Sequence, residues 1–143
     1  MLLFYFREVP EGYVLDELRE ADTTVVFENW GYSREGDTEL VRRHLLHLPS
    51  VALRDSNGCL VGWYITYYIG EMGMLHVLEE HRGKGVAKCL IYELAKKMIA
   101  MNRDLFCYID VNNVPSVKSH EKCGFHLVSD CDVYFKELLS NTT

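Results

Sequence analysis

At 143 residues the chain has the size of one compact domain, and 48% hydrophobic with 25% charged residues excludes an intrinsically disordered chain. Fifteen Lys+Arg against 21 Asp+Glu leave a formal charge of −6, which excludes a broad electrostatic grip on nucleic acid. Five cysteines, an odd number with no C-x-x-C pair, argue against a disulfide framework or a zinc ribbon and point to an intracellular protein, cytoplasmic or mitochondrial rather than secreted. The apolar runs 2–6 and 60–69 are too short for a secretory core or a membrane span, so no membrane partner is expected.

No repeat or linker interrupts the chain, and residues 1–143 read as a single domain. A strand is predicted over 13–18 after Pro10-Glu11-Gly12. Asp22 can cap a helix carrying Val25, Val26 and Trp30, which Trp30-Gly31-Tyr32 breaks. Asp37 can cap a second helix with Val41, Leu45 and Leu48 on one face, stopped by Pro49. Strands 51–54 and 59–67 flank Asp55-Ser56-Asn57-Gly58, a hairpin turn, and a third strand is predicted over 72–77. Over 85–101 the apolar residues Ala87, Leu90, Ile91, Leu94, Met98 and Met101 form a helical stripe, with Glu93 and Lys97 spaced for an i,i+4 pair. A strand over 105–111, a helix over 115–122 ended by Gly124, and strands over 125–129 and 133–137 complete the order βααβββαβαββ. That order implies the α/β class: a central mixed sheet with helices on both faces.

The segment His81-Arg82-Gly83-Lys84-Gly85-Val86-Ala87 joins a strand to the strongest helix. Its glycines permit close backbone approach, and the helix start offers unpaired N–H groups and the positive dipole end, a geometry that binds phosphate. Neither the P-loop pattern nor G-x-G-x-x-G is present.

Arg82-Gly83-Lys84-Gly85-Val86-Ala87 resembles the R/Q-x-x-G-x-G/A signature of the Gcn5-related N-acetyltransferase superfamily, and Asn113, Ser116, His120 and Gly124-Phe125 resemble that superfamily's second motif. Gly70-Glu71-Met72-Gly73-Met74, continuing to the loop, is similar to the C-terminal catalytic domain of glycine N-acyltransferases. The resemblance implies the acyl-CoA N-acyltransferase fold, with acetyl-CoA or another acyl-CoA as co-substrate held by Arg82, Gly83, Lys84, Gly85, Val86, Ala87, Asn113 and Ser116. It also implies pantetheine contacts from the backbone of Leu75, His76 and Val77. The acceptor would be glycine or another small amino acid or amine, acylated directly in a ternary complex. Acetylation of a protein lysine or N-terminus, and a non-catalytic coenzyme A-binding domain, stay open.

Acyl transfer to an amine needs a base for the amine, a donor for the oxyanion and a proton for the thiolate. The resemblance assigns the base to Glu71. The acid position, a tyrosine in many superfamily members, is His120 here. Glu79 and Glu80 read as surface residues, as do His44 and His47, and no histidine spacing supports a metal site. Cys107, inside an apolar strand, reads as inert. Trp30, Tyr32, Trp63, Tyr64 and Tyr67 are candidates for the acceptor pocket.

Overall fold

The computed structural model describes residues 9–30, 37–128 and, as backbone, 133–136. Seven strands, β1 (Tyr13–Asp16), β2 (Ser50–Asp55), β3 (Leu60–Thr66), β4 (Met72–Val77), β5 (Leu105–Tyr108), β6 (His126–Val128) and β7 (Val133–Lys136), form one sheet in the order β1-β2-β3-β4-β5-β7-β6. The helices are α1 (Thr23–Glu28), α2 (Asp37–His47), α3 (Val86–Ala100) and α4 (Val114–Lys122), with single 3-10 turns at Glu20–Asp22 and Glu79–His81. The mixed sheet and the element order agree with the sequence reading. The strands before α1 and α4 are shorter than expected, because β1 ends at Asp16 and β5 at Tyr108. Tyr32 and Cys131 lie outside the described residues.

Alternation along the strands divides the core in two. On one face Val51, Leu53, Val61, Tyr64, Met72 and Val77 meet the apolar stripe of α3, while Cys123 and Phe125, just beyond α4, join the same core. On the other, Ala52, Trp63 and Ile65 meet Val26 of α1 with Val41 and Leu45 of α2. Leu90, Ile91, Leu94 and Met98 are fully buried, a burial on the order of 1.5–3 kcal/mol for each side chain. Gly62 lets α3 settle on β3: a Cβ there would stand 3.1 Å from Leu90, Val86 and the His76 carbonyl.

Two polar expectations change. Lys97 does not pair with Glu93, which is engaged by Lys96 at 2.9 Å. Instead Lys97 reaches to the edge of the sheet and donates to Glu17 and to the Ser50 carbonyl, both at 2.7 Å. His44 is not a surface residue but 3% exposed, its ring edge-on to Tyr67 and Tyr68, with Nδ1 on the Leu40 carbonyl at 2.7 Å.

At the β1–β2 edge Arg54 gathers the chain that precedes α1. Its guanidinium donates to both Asp22 oxygens (3.1 and 2.8 Å), to Asp16 at 2.6 Å and to the Glu17 carbonyl at 3.0 Å. Asp22 also accepts from the Arg19 amide at 2.7 Å. These bonds place α1 against one side of the cleft described next.

Candidate active site

The sheet opens between β4 and β5. These are the parallel neighbours, and their pairing is the single register Met72↔Cys107. A bulge in β4 drives the separation: the β3 register shifts between Trp63 and Ile65, and Met74 adopts φ 55°. In an antiparallel ladder successive residues address opposite neighbours. Leu78 N–H bonds the Val61 carbonyl and Trp63 opposes His76, so the peptide groups of His76 address β3 while those of Leu75 and Val77 address the gap. Of the three residues expected to offer backbone contacts, Leu75 and His76 line the cleft described below, and the His76 ring stacks on Trp63 at 5.1 Å.

The glycine-rich loop stands at one end of this gap. Gly83 and Gly85 have φ of 76° and 82°, values that side-chain-bearing residues rarely adopt, and Gly85 is the N-cap of α3. The first helical bond runs from the Cys89 N–H to the Gly85 carbonyl, leaving the amides of Val86, Ala87 and Lys88 without an intrahelical partner. Arg82 is exposed, and its Nε donates to the Val77 carbonyl at 2.9 Å, which ties the loop to the end of β4. Gly83, Lys84 and Gly85 are exposed.

The cleft at the splay has a volume of about 790 Å³. Glu71, Leu75, Asn113, Ser116 and His120 all line it, so the structure brings the second motif and the β4 segment together, whereas none of the residues Arg82 to Ala87 lines this cleft. Of the aromatic candidates Trp30, Tyr64 and Tyr67 line the cleft, whereas Trp63 is core. Tyr67 fills the space above Gly73, where a Cβ would stand 1.9 Å from the ring. Asp110 and Asn29, which no motif marked, also face the cleft.

Glu71 precedes β4 and its carbonyl holds the Tyr67 amide at 2.9 Å. Its Oε2 is shielded from solvent and has no hydrogen-bond partner among the described residues. An unsatisfied carboxylate oxygen is costly to bury, and here it belongs to a residue that lines the cleft.

His120 occupies a different chemical state from the one an acid needs. It is 1% exposed, and Nδ1 lies 2.7 Å from the Ser116 carbonyl, an acceptor only, so Nδ1 carries the hydrogen. Nε2 then accepts from the Tyr64 hydroxyl at 2.7 Å. Burial pushes the imidazole down to about 4, against a smaller opposing effect of the Ser116 bond. The ring is neutral at pH 7 and presents no free hydrogen to the cleft, which removes the expected acid role and leaves it as the partner that fixes Tyr64. Burial also raises the Tyr64 phenol well above its usual range, and takes Cys107 up to about 12 and Cys89 to about 11, in keeping with inert thiols.

Asn113 caps α4, its Oδ1 accepting from the Ser116 amide at 3.4 Å. Among the described residues no group of three or more His, Cys, Asp and Glu could hold a metal ion, and no helix is long and apolar enough to cross a membrane.

The fold is shared with solved structures. A Drosophila protein of known structure superimposes with a TM-score of 0.81 at 20% identity, covering 92% of this chain and 45% of that one. A Salmonella typhimurium protein, yncA, solved with acetyl-CoA, gives 0.67 at 19% identity over 83% and 82%. The family model described as FR47-like protein matches residues 51–134, and the chain belongs to that family, within the Gcn5-related N-acetyltransferase superfamily. The acetyltransferase ECA0875 of Pectobacterium atrosepticum is 31% identical over 106 residues, covering 71% of this chain and 74% of that protein. Bovine glycine N-acyltransferase is 25% identical over 105 residues, 73% of this chain but 36% of the enzyme, so the chain spans about a third of that relative's length.

Proposed function

We propose that this chain is an acyl-CoA-dependent N-acyltransferase that transfers the acyl group directly to a primary amine. The observation that carries the reading is Glu71, which lines the cleft where β4 and β5 part and whose Oε2 atom is shielded from solvent without a described partner.

The residues present fit acyl-CoA. The exposed glycine loop and the free amides at the start of α3 suit a pyrophosphate, with Lys84 adding charge, and the gap-facing peptide groups of Leu75 and Val77 suit an amide-bearing arm. Bound there, the thioester supplies an activated acyl carbon. Glu71 Oε2 takes the proton that the amine must lose to attack. Arg82 holds the loop to β4 and so fixes the distance between the phosphate end and the reacting end. No imidazolium is needed for the thiolate, because a thiol of ordinary pKa, about 8.5, leaves without full protonation. Glycine conjugation is the acceptor chemistry that the Gly70-Glu71-Met72 resemblance supports.

Glu71→Gln tests the reading. Thiol release from acetyl-CoA with an amine acceptor should fall by about 10²–10⁴ at neutral pH while acetyl-CoA affinity by calorimetry stays the same, and raising the pH should restore part of the rate. Wild-type turnover in the variant would remove the base assignment. Acetyl-CoA binding without turnover in the native chain would favour the non-catalytic reading.

A further inference from the structure

A base serves a bound amine only when its carboxylate is held in place. Hydrogen bonding does not hold Glu71 at Oε2, which has no partner among the described residues. Its backbone, by contrast, is tied into the turn between β3 and β4, which stands on the pair Thr66↔Met72. Tyr67 N–H donates to the Glu71 carbonyl and Gly70 N–H to the Tyr67 carbonyl, both at 2.9 Å, and Gly70 takes φ 108° to close the turn. Whatever sets Tyr67 therefore also sets Glu71.

Two contacts set Tyr67. Its ring folds back over β4 and lies on Gly73, where a Cβ would overlap the ring, 2.7 Å from Cδ2 and 2.8 Å from Cζ. Gly73 is not one of the positive-φ glycines, so its backbone would accept any residue and it is the ring that demands a missing side chain. From α2 the His44 ring meets Tyr67 edge-on, the centroids 5.4 Å apart and the planes at 82°. His44 is itself fixed, buried with Nδ1 on the Leu40 carbonyl at 2.7 Å. Tyr67, Glu71 and Gly73 all line the cleft.

We propose that Tyr67, seated on Gly73 and braced by His44, is a positioning residue that holds the Glu71 carboxylate where β4 and β5 part, an inference that rests on the reading of Glu71 as the base. The ring supplies position and no proton. Without its seat the turn shifts and carries Glu71 with it, a defect in turnover rather than in acetyl-CoA binding.

The test uses acetyl-CoA with whichever of glycine, methylamine and an end-blocked lysine peptide the native chain acetylates fastest. Tyr67→Ala should lower kcat by about 10–10²-fold with calorimetric acetyl-CoA affinity unchanged. Gly73→Ala keeps the tyrosine but displaces its ring, so it should lose kcat to a similar extent, and it carries the comparison if Tyr67→Ala does not fold. Added to Tyr67→Ala, it should cost nothing further, because no ring is left to displace. Tyr67→Phe keeps the seated ring and should restore native kcat. In a Glu71→Gln background Tyr67→Ala should have no further effect, since both changes remove one function.

A Phe variant as slow as the Ala variant would make the hydroxyl the active part and overturn the proposal. So would a full, multiplicative loss from Tyr67→Ala on top of Glu71→Gln, or native kcat in Gly73→Ala, and these three results leave Glu71 as the base. Native kcat in Glu71→Gln alone, or a native chain silent with all three acceptors, would instead remove the reading beneath the proposal and the proposal with it.

Discussion

Asp22, between β1 and α1, and Glu71, at the start of β4, are both carboxylates withdrawn from water, yet the chain surrounds them in opposite ways. Asp22 accepts from two Arg54 nitrogens and the Arg19 amide, so both of its oxygens are occupied. Glu71 keeps one shielded oxygen with no described partner. Asp22 can do nothing but hold β1, the 3-10 turn and β2 together. An unpaired buried acceptor costs about 1–3 kcal/mol, so Glu71 lowers stability where Asp22 raises it. A fold carries such a loss where the unpaired oxygen has a use. Structural and chemical acids are thus told apart by their partners rather than by their burial.

The sharpest way to break this contrast is to remove a partner from the satisfied site. Arg54→Met should leave Asp22 without a counter-charge at a buried edge, while Asp16 keeps the Arg19 guanidinium at 2.7 Å, and cost about 3–5 kcal/mol of unfolding free energy, read from urea denaturation. Glu71→Leu, measured the same way, should be neutral or mildly stabilising, since it deletes an unsatisfied group. If both variants unfold at the native midpoint, the ion network does not hold the β1–β2 edge.

A smaller effect follows from His120, the third buried titratable group in this comparison. Its folded pKa, about 4, lies below the ordinary 6.5, so the unfolded chain binds the proton first. Stability is therefore complete above about pH 6.5 and is lost as pH falls toward 4. Between pH 7 and 5 this amounts to about 2 kcal/mol. His120→Asn should lack that part of the decline, seen as a smaller difference between denaturation curves at the two pH values. Equal differences in variant and native protein would mean that the ring titrates normally.

These groups also show what a sequence can and cannot disclose. The element order, the loop and the Asn113 to Phe125 spacing depend on local patterns, and the structure assembles them as expected. His44 was legible too: Val41, His44, Leu45 and Leu48 are an i, i+3, i+4, i+7 stripe, so its phase already assigned it to the core. His120 was not, because the burial that keeps it neutral is a property of the packed fold, as is the Tyr64 hydroxyl, 56 positions earlier, that β3 brings to Nε2. Lys97 meets Glu17 across 80 positions, and Arg54 meets Asp22 across 32. Local spacing favours Glu93 for Lys97, but the sheet edge offers a carbonyl and a carboxylate together.

The smallest effect belongs to Asn113, which sits between the two extremes: exposed, with one defined partner. Its Oδ1 accepts from the Ser116 amide at 3.4 Å, a long bond, at the start of the helix that carries His120. Losing an N-cap costs about 1 kcal/mol, and Pro115 within the first turn already fixes part of the backbone. Asn113→Ala should therefore lower stability by about 1 kcal/mol, whereas Asn113→Asp should stay within about 0.5 kcal/mol because a carboxylate also caps and complements the helix dipole. The pair separates two roles for this residue. If capping is its whole function, turnover should follow stability and survive in Asn113→Asp; if it also touches the acyl-CoA, as the motif resemblance implies, the added charge should weaken acetyl-CoA binding in Asn113→Asp with no loss of stability. Calorimetric affinity beside urea denaturation decides between them, and an Ala variant unchanged in both would show that Asn113 does neither.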